Sequence, residues 1–77
     1  MTIKTLSFIH DLLVEEERKA LRVSDWLYEI YAKARDDFED GKIPESEVKP
    51  KEKEYETARS YHGKAYEALR EFEAKEW

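Results

Sequence analysis

Seventy-seven residues suffice for one domain, and a chain this short buries only about 60–65% of its unfolded surface when it folds alone. A net charge of −5 argues against general affinity for nucleic-acid phosphates, which clustered Lys and Arg supply. No apolar run approaches the ~20 residues that span a bilayer, and the absence of cysteine removes disulfides as a source of stability.

That absence fits a reducing compartment, so the expected location is the cytoplasm. The opening MTIKTLSFIHDLLVEEE lacks a clean hydrophobic core and a small-residue cleavage site, so no signal peptide is expected. Charged residues make up 43% of the chain. Without periodicity that content would suggest disorder. The apolar residues are periodic, however, and include two Trp, five Tyr and three Phe. The charges therefore read as solvent faces of helices.

Residues from about 5 to 40 follow a helical pattern. Leu6, Ile9, Leu13, Ala20, Val23, Leu27, Ile30, Ala34 and Phe38 fall on one stripe, with spacings alternating between three and four. Leu12 flanks the stripe on one side; Val14, Leu21 and Tyr28 flank it on the other. This arc is wider than one partner helix covers. By spacing Glu16 also lies on the stripe, and its long stem is expected to cross the seam and carry the carboxylate to solvent or to a cation. Glu-x-x-His, the motif of di-iron bundles, is absent: Ser7 stands three residues before His10 and Arg59 three before His62.

One strong break follows, GKIPESEVKP at 41–50, holding both prolines and one of the two glycines. The connection is expected over about 41–49. Its surroundings, DDFEDGKIPESE at 36–47, resemble a calcium-binding EF-hand loop in Asp36, Asp40, Gly41, Ile43 and Glu47. Phe38 stands at the third position, where an oxygen ligand is needed, and Pro44 at the ninth. The loop therefore reads as a glycine-terminated helix followed by a turn. A calcium site at Asp36, Asp40 and Glu47 is the alternative.

The second helix is expected over about 50–76. Either Ser46 caps it with Pro50 in the first turn, or Pro50 is its first residue. Its stripe is Tyr55, Ala58, His62, Ala65, Leu69 and Phe72, flanked by Tyr61, Tyr66 and Ala68. His62 reads as a hydrogen-bonded packing residue. Gly63, off the stripe, costs about 1 kcal/mol relative to Ala. The first helix ends in Asp36, Asp37, Glu39 and Asp40; the second begins with Lys49, Lys51 and Lys53. Each opposes its own macrodipole, so an antiparallel turn is expected to let them neutralise one another.

The predicted fold is all-α, one domain over 1–77: two long antiparallel helices in an αα-hairpin that dimerises into a four-helix bundle. Self-association is expected through Val14, Leu21 and Tyr28, with Leu13 and Leu27 on the seam beside them. No catalytic constellation, cofactor site or phosphate loop is present in the sequence. The expected role is a soluble, non-enzymatic interaction or structural module, a homodimer with an unidentified protein partner and no membrane. Two other readings are a calcium-responsive hairpin and an acidic decoy imitating phosphates.

Overall fold

The computed structural model describes residues 2–76, and these form two helices and one connection. Helix α1 spans Ile3–Glu39 and helix α2 spans Glu45–Lys75, packed antiparallel. No helix among the described residues is long and apolar enough to cross a membrane. The hairpin measures 58 × 14 × 13 Å, the length that 37 residues at about 1.5 Å rise require of α1.

Local chemistry sets the ends of α1. The Thr2 hydroxyl caps it, accepting from the Thr5 N–H at 3.2 Å. No Gly or Pro interrupts it before Gly41, which adopts φ +77°. Gly41 N–H donates to the Phe38 carbonyl at 3.0 Å and Lys42 N–H to that of Asp37 at 2.8 Å. These two bonds close a Schellman motif, for which a residue without a Cβ is best suited.

The start of α2 lies earlier than the sequence suggested. Pro44 occupies the N-cap position in extended conformation, and Glu45 is already helical. Pro50 lies inside the helix, where it has no N–H to give the Ser46 carbonyl. Two effects favour this early start. Glu45 and Glu47 place negative charge in the first turn, which suits the macrodipole. Val48, moreover, is buried only if these residues are helical and packed. The expected crossed neutralisation is therefore not what the turn uses. Lys49 pairs with Glu45 at 3.6 Å within α2, and Lys51 Nζ donates to the Glu47 carbonyl at 3.4 Å. Among the described residues, no ion pair joins these lysines to the acidic end of α1.

The seam repeats every seven residues, as in a coiled coil. On α1 one column is Leu6, Leu13, Ala20, Leu27 and Ala34, all buried or half-buried, as the stripe predicted. The aliphatic column holds only at its ends, where Ile9 and Ile30 are half-buried, and a polar column beside it shares the seam. His10, Glu17, Ser24 and Tyr31 face α2, whereas Glu16 and Val23 are exposed. Rotation toward the polar column is tolerated because each large polar group has a partner across the seam and Ser24 is small. On α2 the expected stripe holds from Tyr55 to Phe72, and Val48 and Lys51 extend it toward the turn. The core is thin: Ala20, Ala34, Val48 and Leu69 are its buried apolar residues, and no described side chain is completely enclosed.

Candidate interaction surfaces

Two histidine–glutamate pairs clasp the helices. His10 Nε2 lies 2.9 Å from Glu73 Oε2, and His62 Nε2 lies 2.9 Å from Glu17 Oε1. The pairs are reciprocal, since each helix contributes one histidine and one carboxylate. The bond from His10, with Arg70 also beside the carboxylate, holds Glu73 below the ordinary glutamate range, against the opposing effect of burial. The His10 ring also stacks on Phe72, with centroids 6.2 Å apart. His62 is thus a hydrogen-bonded seam residue, and its carboxylate is Glu17 rather than Glu16.

Glu16 is exposed, on the edge of the seam, where it accepts a hydrogen bond from the Tyr61 hydroxyl. That bond holds the Tyr61 phenol above its ordinary pKa. The Glu16 carboxylate thus reaches solvent as expected, with a phenol and not a cation as its partner.

Beside this pair runs an apolar groove of about 690 Å³ between the helices, lined by Val23, Leu27, Pro50, Ala58 and Tyr61, with Lys53, Glu54 and Thr57 at its margin. A smaller trough of about 250 Å³ continues it past Glu16, Lys19 and Ala20. Trp26 stands on the α1 edge of this face with 62% of its surface exposed. Val23 and Tyr61, which line the groove, are about half exposed, as is Leu12 further along α1.

The opposite flank carries the residues assigned to self-association, and much of it is engaged within the chain. Tyr28 packs on Tyr55 with centroids 5.2 Å apart, and Tyr55 stacks on Tyr31 at 6.0 Å. The Arg70 guanidinium lies over Tyr66 at 5.1 Å. Val14 is half-buried, and Leu13 and Leu27 belong to the seam. Leu21 keeps 40% of its surface exposed. Gly63 faces open space, with nothing within 4 Å of where a Cβ would stand.

The calcium alternative finds no assembled ligand set. Asp36 lies in the last turns of α1, Asp40 is its C-cap, and Glu47 lies in the first turn of α2. Among the described residues, no three acidic, histidine or cysteine side chains gather closely enough to hold a metal ion. The helices run on through the positions that an EF-hand leaves as loop, which separates the would-be ligands.

These features define an all-α antiparallel helical hairpin with a polar-clasped seam and one open apolar face. Comparison with family models, with curated proteins and with solved structures finds no match to this chain.

Proposed function

We propose that this chain is a non-enzymatic protein–protein interaction module that works as a self-associated helical hairpin, a homodimer forming a four-helix bundle. The observation that carries the reading is the surface left by the isolated hairpin. It exposes 6021 Å², where a compact protein of 9.3 kDa exposes about 5,000 Å². Two separate copies expose about 12,000 Å², whereas a compact body of twice the mass exposes about 8,200 Å². The difference, about 3,800 Å², is the ceiling on what pairing could bury, since a bundle that keeps the 58 Å length is less compact, and it leaves room for an interface of obligate-homodimer size.

The apolar content of that surface supports the same reading. Val23 and Tyr61, which line the groove, and Trp26 beside it are all at least 49% exposed, and clustered exposure of this kind marks association sites. The acidic outer faces of such a bundle would remain available to a further protein partner. Sedimentation equilibrium of the full chain tests the proposal. A dimer at low micromolar concentration is expected, with helicity lost as it dissociates. A fully helical, stable monomer at high micromolar concentration would refute it.

A further inference from the structure

The groove face, not the flank of Val14, Leu21 and Tyr28, is where we infer that the second copy docks, with Trp26 of each protomer filling the groove of the other about a twofold axis parallel to the helices. This rests on the self-association proposed above and specifies its face and symmetry.

Three observations converge. The first is which apolar surface remains unspent. On the opposite flank Tyr28 and Tyr66 pack against Tyr55 and Arg70 of their own chain and keep 45% and 43% of their surface exposed, with Leu21 at 40%. On the groove face, Trp26 is 62% exposed beside an apolar channel large enough for an indole. Tryptophan is the residue most enriched among those that dominate binding energy, and such residues work when seated in a pocket that excludes water.

The second observation is level. Groove residues Val23 and Leu27 bracket Trp26 in the sequence and line the same channel as Glu54 and Ala58, so Trp26 stands at the height of Glu54. Lys33 and Glu47 line one recess nearer the turn, hence share a height. Lys19 and Tyr61 share the trough on the other side. A twofold axis parallel to the helices leaves every height unchanged and sets α1 of one copy across from α2 of the other. The indole then meets the groove without any shift in register. Neighbouring helices also become antiparallel all around the bundle, an ordinary four-helix arrangement.

The third is charge. Along this edge α1 presents Lys19, Trp26 and Lys33 at seven-residue spacing, and α2 presents Glu47, Glu54 and Tyr61 at the same spacing. The parallel axis brings Lys33 of one copy to Glu47 of the other. An axis perpendicular to the helices would instead set α1 against α1 and bring Lys33 toward Lys19 of the second copy. Rim charges fix register and discourage the wrong arrangement more than they add affinity. They select the parallel axis here.

Sedimentation equilibrium of full-length variants, with helicity followed by circular dichroism, tests this. Trp26→Ala should raise the dimer dissociation constant at least tenfold, while Leu21→Glu changes it less than threefold. Lys33→Glu and Glu47→Lys should each weaken the dimer, and an equimolar mixture of the two should recover most of the loss, because only the pairs between copies are restored in the mixed dimer. The charge exchange alters no buried side chain, so it remains decisive even if Trp26→Ala impairs folding. A dimer indifferent to Trp26→Ala but dissociated by Leu21→Glu would overturn the groove face and leave self-association standing. A mixture no tighter than either single variant alone would overturn the parallel axis. A monomeric parent would remove both this inference and the reading beneath it.

Discussion

At the scale of single residues, polar groups share the seam with the aliphatic column, of which Ile9 and Ile30 are half-buried while Glu16 and Val23 are exposed. Ile9, Glu16, Val23 and Ile30 recur as regularly as His10, Glu17, Ser24 and Tyr31, and periodicity alone prefers the more apolar set. It cannot register that a histidine and a glutamate satisfy each other across a seam, or that Ser24, 93% covered, takes so little room. Trp26 was equally hard to read. It sits between Asp25 and Leu27 on a helix face bordered by lysines, off any stripe, and its meaning depends on a groove that exists only once α2 is in place. The clasps lead to a pH prediction. Glu73 has a folded-state pKa depressed chiefly by the His10 hydrogen bond. Its contribution to stability is therefore present above the ordinary glutamate pKa of about 4.3 and is lost as pH falls through the folded value. Glu73→Gln should lower the melting temperature near neutrality, and the gap to the parent should close as pH falls below about 4. A gap independent of pH from 7 to 3 would show that the carboxylate charge does not act through this pair.

At the scale of elements, both helices and their antiparallel order were legible because the break is compact and the flanking periodicity long. The boundary of α2 was not. Proline is a strong stop signal in sequence, yet Pro50 is accommodated at the sixth helical position because the burial of Val48 and the two first-turn glutamates outweigh one missing hydrogen bond. The two glycines provide a paired test, since one substitution should have opposite signs at the two sites. Gly41 sits at φ +77° with open space around it, so Gly41→Ala meets no steric neighbour and costs only the left-handed backbone strain, about 1–2 kcal/mol. Gly63 has helical backbone and equally open space, so Gly63→Ala should gain up to about 1 kcal/mol from helix propensity. Urea midpoints would move down for the first and up for the second. A destabilising Gly63→Ala would mean that another backbone approaches α2 there, on the side away from the groove.

At the scale of the whole molecule, shape is the dominant fact. A radius of gyration of 17.3 Å stands against about 11.5 Å for a compact domain of this length. Two rods in contact along one line cannot enclose a core, whatever their sequence. The apolar arc on α1 is likewise wider than one helix covers, and the rotation of the seam decides how each of its flanks is exposed. If folding and association are one process, stability depends on protein concentration by mass action. Each tenfold dilution then removes about 1.4 kcal/mol per dimer, which for two chains of this size lowers the melting temperature by about 4 °C. Thermal melts at 2, 20 and 200 µM, followed by helicity, should therefore step upward by roughly that amount per decade. The step should survive high salt. In the proposed dimer apolar burial would supply most of the association energy, whereas rim pairs between lysine and glutamate would be screened within about 3 Å at 1 M salt. A melting temperature that stays constant over this hundredfold range would mean that the hairpin holds itself together through its thin seam alone.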